Sequence, residues 1–249
     1  MDYELGNIQF YVEDTYEMMS RKAARLLSDQ INKKTDSVIG FATGGTPVGT
    51  YEALIQMYEN KEVDFSQITT FNLDEYYPIQ KSDSQSYDLF MKENLFNHIN
   101  IAPARLHIPN GEAKDIDAEC RDYEQQIAHA GGIDLQILGI GLNGHIGFNE
   151  PAQSFAAKTH YVQLDESTIE ANARFFTSRD QVPKAAVTMG IKTIMMARHI
   201  LLLVNGEKKA GILKEMIHGP ITPTVPASVL QLHPHVTIVT DKPAASLFI

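Results

Sequence analysis

Residues 133–151 read IDLQILGIGLNGHIGFNEP. The first eight letters form a short, mostly apolar stretch that reads as a strand. The six residues Gly139 to Gly144, which overlap the end of that stretch, fit G-x-G-x-x-G, and Asp165 follows about twenty positions on, as a dinucleotide-binding turn requires. The context then fails. That fingerprint needs a helix starting at its third glycine, and here His145-Ile146-Gly147-Phe148-Asn149-Glu150-Pro151 follows instead. Pro151 also disfavours helical backbone at Glu150. A broken loop after a buried strand remains, with Asn143, His145 and Glu150 close together. A histidine there can move protons near neutral pH, and a carboxylate accepting from its ring would fix the tautomer. The same letters also fit a polar loop holding a satisfied histidine.

Strand-like and helix-like segments alternate on either side of this stretch. Strands are expected at IQFYV (8–12), SVIGFA (37–42), ITTFNL (68–73), IDLQILGI (133–140), THYVQL (159–164), HILLLV (199–204) and VTIVT (236–240). Helices are expected from Asp14, as N-cap with Glu17 completing a capping box, to Ile31. Further helices are expected after Thr46-Pro47 as N-cap and N1, and over 87–98, 115–130, 167–176, 184–196 and 207–218. This alternation predicts an α/β fold of three layers, a mostly parallel sheet with helices on both faces in the Rossmann-like manner. One domain over 1–249 accounts for the length.

In such sheets ligands bind beyond the carboxyl ends of the strands. Thr43-Gly44-Gly45-Thr46-Pro47 follows SVIGFA, either as a phosphate cradle at a helix N-terminus or as an ordinary glycine-rich turn. Asp74 follows ITTFNL, as a general base or as a turn and capping residue. Lys208 and Lys209 follow HILLLV at the start of a helix, where they oppose the dipole unless an anion binds; solvated surface lysines are the other reading. Arg174 could reach a phosphate from the helix after Asp165, or stand at the surface.

The chain carries 31 acidic and 21 basic side chains, a formal net charge of −10, with no basic block. That argues against nucleic acid and anionic membranes as partners. The single cysteine, Cys120, excludes an intramolecular disulfide and a cysteine-rich zinc site, and reads as a structural thiol on a helix. His233-x-His235 is the best histidine pair, yet no third metal ligand is evident. The opening MDYELGNIQF has no apolar signal region, and the run Ile200 to Val204 is far short of a membrane span. A soluble, cytoplasmic protein is expected.

TGGTP, NLDEYYP, GIGLNGHIGFNEP, ANARFF, VPKAAVTMGI and GEKKA together resemble the glucosamine-6-phosphate deaminases in order and spacing, from about Ile8 to Ala244. The similarity is to the short bacterial form. The related 6-phosphogluconolactonases share the Gly-His pair but lack FNEP. The resemblance implies conversion of D-glucosamine 6-phosphate and water to D-fructose 6-phosphate and ammonia, in amino-sugar catabolism. It implies that Asp74 moves the C2 proton to C1, that His145 opens the pyranose ring, and that Asn143 and Glu150 orient His145. It assigns the substrate phosphate to Gly44, Gly45, Thr46, Arg174 and Lys209, and a mobile lid to about 164–184. No metal or organic cofactor is implied. A lactonase and a non-catalytic sugar-phosphate sensor are the alternatives on this fold.

Two departures have consequences. Asn143 stands where the long enzymes of the family carry Asp, so it can orient but brings no charge. Gln153, His160 and Val162 stand where the long enzymes bind an activating N-acetylated sugar phosphate, so no such activation is expected. Lacking the long enzymes' extension, the chain is expected to be a monomer or small homo-oligomer.

Overall fold

A computed structural model describes residues 2–248 except 174, 175 and 177. The strands are β1 (Asp2–Leu5), β2 (Ile8–Glu13), β3 (Val38–Phe41), β4 (Thr69–Asn72), β5 (Asp74–Tyr77), β6 (Leu106–His107), β7 (Leu135–Leu138), β8 (His160–Gln163), β9 (Ala185–Thr188), β10 (His199–Val204) and β11 (Val236–Asp241). The helices are α1 (Tyr16–Lys33), α2 (Val48–Glu59), α3 (Tyr87–Asn94), α4 (Ile116–His129), α5 (Glu166–Asn172), α6 (Ile191–Met195) and α7 (Ala210–His218). Among the described residues the main sheet has eight strands in the order β1-β2-β11-β10-β7-β3-β4-β6, and a small sheet has the order β5-β9-β8. The main sheet is parallel throughout except where β1 meets β2. Strands β3, β7 and β11 are buried at every position, which requires cover on both faces and explains their mostly apolar sequences.

Several local expectations are corrected. The 184–196 segment is not one helix. Ala185–Thr188 is the middle strand of the small sheet, antiparallel to both β5 and β8, and only Ile191–Met195 is helical. Pairing on both edges overrides the helical leaning of Ala-Ala-Val-Thr. Strand β4 ends at Asn72, and Asp74–Tyr77 becomes a strand of the other sheet. Thr15, not Asp14, caps α1 by accepting from Met18 N, while Asp14 pairs with Lys242 at 2.7 Å. Pro47 takes the N-cap position of α2 without a side-chain bond, and the Thr46 hydroxyl donates to Asn205 Oδ1. The 87–98 helix stops at Asn94 and restarts as a 3-10 turn over Phe96–His98. The 207–218 helix opens as a 3-10 turn over Glu207–Lys209. Cys120 is buried on α4, and burial pushes its thiol up to about 11.

At the amino ends of β10 and β11 the His199 and His235 rings stack at 3.8 Å and 2°. Burial, with His235 and His233 adding to it, pushes His199 down to about 4 from its ordinary 6.5. Between those values the unfolded chain takes up a proton that the folded chain refuses, so the contribution of His199 to stability falls as pH drops through this window. In calorimetric scans from roughly pH 7 to pH 5, the melting temperature of His199→Gln is therefore expected to gain on that of the parent. Parallel slopes would show that this histidine does not set acid lability.

Candidate active site

Chain order and sheet order together locate the site. Strands β3 and β7 are neighbours. From β3 the chain moves on to β4 on one side, and from β7 to β10 on the other. Such a reversal leaves a crevice beyond the carboxyl ends of the two strands. The TGGTP loop leaves β3 and the GIGLNGHIGFNEP loop leaves β7, so both open into it. The start of β5, just after β4, and the 3-10 turn after β10 flank it with Asp74 and Lys209.

The β7 loop is folded tightly. Gly141 N–H donates to His145 O at 2.9 Å, and Gly144 N–H donates to Gly141 O at 3.1 Å. Gly144 and Gly147 have φ of +85° and +56°, a region where side chains are strained. Gly141 has a different task. A Cβ there would lie 2.3 to 2.5 Å from three atoms of the His145 ring, so the imidazole rests directly on this glycine. Asn149 pins the far side of the loop, its amide donating to Ile146 O and Met189 O at 2.9 and 2.8 Å.

His145, Glu150 and Asn143 converge. His145 Nδ1 lies 3.4 Å from Glu150 Oε2, an ion-pair distance rather than a closed hydrogen bond. The Asn143 amide donates to the same Oε2 at 2.9 Å, and its carbonyl accepts the His145 backbone N–H at 3.2 Å. Asn143 thus orients His145 through the backbone and through Glu150, not by touching the ring nitrogen. The other oxygen, Glu150 Oε1, accepts the Thr168 hydroxyl at 2.5 Å. Burial pushes Glu150 up, but its contacts with His145, Thr168 and Asn143 outweigh this and hold it below the usual glutamate value.

Asp74 is 6% exposed. It pairs across β5 and β9 with Thr188, and its Oδ2 lies 3.4 Å from where a Cβ on Gly147 would be. The missing side chain at Gly147 therefore lets the histidine loop close onto the carboxyl. Burial, then the charge of Glu75, pushes Asp74 up to about 8. Glu75 itself accepts the backbone N–H groups of Tyr76, Tyr87 and Asp88. Burial still takes it up to about 7 against these bonds. Its role is to bind the free amides at the start of α3 and so fix the strand that carries Asp74.

On the other side of the crevice, nothing lies within 4 Å of a Cβ built at Gly44 or Gly45, and Gly44 has φ +96°. The backbone there is open to a ligand. The Thr46 hydroxyl bonds Asn205 Oδ1 at 2.7 Å, joining this loop to the one after β10. Tyr16 braces it from α1, its hydroxyl accepting from Gly49 N at 2.9 Å and facing Gly45 O and Thr46 O at 3.1 Å. Lys209 Nζ donates to Ile140 O at 2.6 Å, which directs it across the crevice towards the β7 loop. Arg174 lies outside the described residues. Among the described residues no group of three or more His, Cys, Asp or Glu side chains is placed to hold a metal ion.

Residues 12–239 match the family described as glucosamine-6-phosphate isomerases/6-phosphogluconolactonase. This protein belongs to that family. Within the family, the chain is 56% identical to the glucosamine-6-phosphate deaminase of Halothermothrix orenii over 236 residues, covering 95% of this chain and 98% of the relative. The solved structure of a monomeric glucosamine-6-phosphate deaminase superposes with a TM-score of 0.94 at 50% identity, over 96% of this chain and 99% of the other. The 6-phosphogluconolactonase of Thermotoga maritima superposes with a TM-score of 0.76 at 21% identity, over 94% and 100% of the two chains, and shares the fold alone.

The structure brings Asp74, Asn143, His145 and Glu150 around one loop, and Gly44, Gly45, Thr46 and Lys209 to the same crevice. Sequence reasoning missed Glu75, Thr168, Thr188, Asn149 and Tyr16. Glu75 was readable only as the neighbour of Asp74, and Thr188 lay in a segment expected to be helical. Among the described residues no helix is long and apolar enough to cross a membrane.

Proposed function

We propose that this member of the glucosamine-6-phosphate isomerase family converts D-glucosamine 6-phosphate and water to D-fructose 6-phosphate and ammonia. The observation that carries the reading is a buried, protonatable carboxyl at Asp74 closed against the same loop that presents the His145–Glu150 pair. An aldose–ketose isomerisation needs these two functions, one at the ring oxygens and one at carbon. His145 takes the O1 proton and delivers it to O5, opening the ring. Glu150, across Nδ1, stabilises the imidazolium that forms in between. Asp74 then takes the C2 proton and returns it to C1, which moves the double bond and leaves an imine at C2. Water adds at C2, the C–N bond breaks, and ammonia leaves with fructose 6-phosphate. The raised proton affinity of Asp74 suits this shuttle, since an ordinary carboxylate holds a proton from carbon too weakly.

The phosphate fits the open backbone at Gly44 and Gly45, with Thr46, Lys209 and Arg174 completing the set. Binding there uses a remote group to place C1 and C2 beside Asp74. The segment 164–184 is read as a lid that closes over this substrate. The protein is read as a cytoplasmic monomer or small homo-oligomer acting in amino-sugar catabolism, without activation by an N-acetylated sugar phosphate.

The test is a product assay. Glucosamine 6-phosphate is expected to give ammonia and fructose 6-phosphate in equal amounts, and 6-phosphogluconolactone is expected to be left alone. Lactone hydrolysis without ammonia release would replace this reading with the lactonase one, and binding without turnover of either would leave a sensor.

A further inference from the structure

We infer that Thr168 is a positioning residue for ring opening, its hydroxyl holding the Glu150 carboxylate in place against His145 from the neighbouring helix α5. The inference rests on the reading of His145 and Glu150 given above.

The two oxygens of Glu150 face different parts of the fold. Oε2 faces its own loop, with the Asn143 amide at 2.9 Å and His145 Nδ1 at 3.4 Å. Oε1 faces α5, with the Thr168 hydroxyl at 2.5 Å, within the range of a hydroxyl donating to a charged acceptor. A carboxylate is planar, so a donor on each oxygen fixes both its position and its rotation. Asn143 alone fixes one oxygen and leaves the plane free to turn about that contact. The direction from which Oε2 meets Nδ1 decides which ring nitrogen keeps its proton, and therefore whether Nε2 is free to exchange one with the sugar. Thr168 is 4% exposed. Its hydroxyl is consequently a fixed donor rather than one that water can replace, and branching at its Cβ restricts the directions it can take.

The contact also joins two parts of the site. Thr168 belongs to the segment between Leu164 and Val182, which packs on Tyr76 and Phe148 through Leu164, Ile169 and Phe176. Tyr76 lies two residues after Asp74, and Phe148 two before Glu150. The placement of this segment is thereby communicated to the histidine through one hydrogen bond, while the packing around it communicates with the strand of the carbon base. Productive placement of α5 and readiness of His145 become one condition.

Thr168→Val keeps the shape and removes the donor. Its kcat is expected to fall about tenfold with KM within about twofold, because the loss falls on a proton-transfer step and not on a phosphate contact. Thr168→Ser restores the hydroxyl and is expected to stay within about twofold of the parent. The readout that packing alone would not move is the His145 ring in nitrogen-15 spectra, assigned by its disappearance in His145→Gln. One tautomer is expected in the parent and in Thr168→Ser, and a mixture in Thr168→Val. Parental kcat and an unchanged His145 tautomer in Thr168→Val would overturn the inference, as would equal losses in the Val and Ser variants. Glu150→Gln is measured alongside. If it too keeps parental kcat, the role given to Glu150 fails, whereas a slow Glu150→Gln with a normal Thr168→Val removes only Thr168.

Discussion

Asp74→Asn is expected to lose turnover by at least about a thousandfold, within the range for removing a general base, and to melt at a higher temperature than the parent near neutral pH. The first half follows from position. Asp74 is the carboxyl that closes against Gly147, and an amide cannot carry a proton from C2 to C1. The second half follows from its proton affinity. Burial and the neighbouring Glu75 lift the folded-state value from an ordinary 3.8 to about 8. Between those values the folded chain holds a proton that the unfolded chain has released, so stability declines as pH rises through the window. Near neutral pH the cost is on the order of 2 kcal/mol or more. A neutral amide of the same shape removes it. Measured against the variant, the parent is expected to lose stability as pH rises from about 5 to 8. In the parent, kcat/KM is expected to rise with pH along an acid limb near 8, far above an ordinary carboxylate, and the residual activity of the variant is expected to lack that limb. A variant that is both inactive and less stable at every pH would mean that the carboxyl serves the fold and carries no stored electrostatic cost.

The legible parts of the molecule share a physical property. Strands β3, β7, β10 and β11 are mostly apolar because both faces are covered, and such runs are visible without knowing their neighbours. Asp74, His145 and Glu150 could be found because each follows a strand, and ligands in parallel sheets gather there. What could not be read depends on partners distant in the chain. Ala185–Thr188 is a strand only because β5 and β8 flank it. Asp74–Tyr77 hides for the same reason, since its pairing partner lies beyond the histidine loop. The link between Thr168 and Glu150 spans eighteen positions and joins a helix to a loop, a relation with no periodicity to reveal it. Thr46 resembles a cap because Pro is common at the first helical position, but α2 starts one residue later, with Pro47 as its N-cap.

The glycines of the β7 loop yield the sharpest contrast between neighbouring positions. Gly139→Ala is expected to behave nearly as the parent, because nothing lies within 4 Å of a Cβ placed there. Gly141→Ala, two residues on, is expected to lose about a hundredfold in kcat, the scale of losing a positioned proton-transfer group, while remaining folded. Neither position has the positive φ that would make any side chain strained, whereas Gly144 and Gly147 do. Backbone conformation therefore does not separate the two variants, and the space above them does. At Gly141 the new methyl would sit 2.4 Å from His145 Nδ1 and 2.5 Å from Nε2. The ring must swing away, and the 3.4 Å approach to Glu150 is lost. Binding through the phosphate is untouched by this movement, so KM is expected to change little and the loss to fall on kcat. Equal activities for the two alanine variants, with unchanged melting temperatures, would show that His145 can leave Gly141 at no cost to the reaction, and would remove the histidine from ring opening.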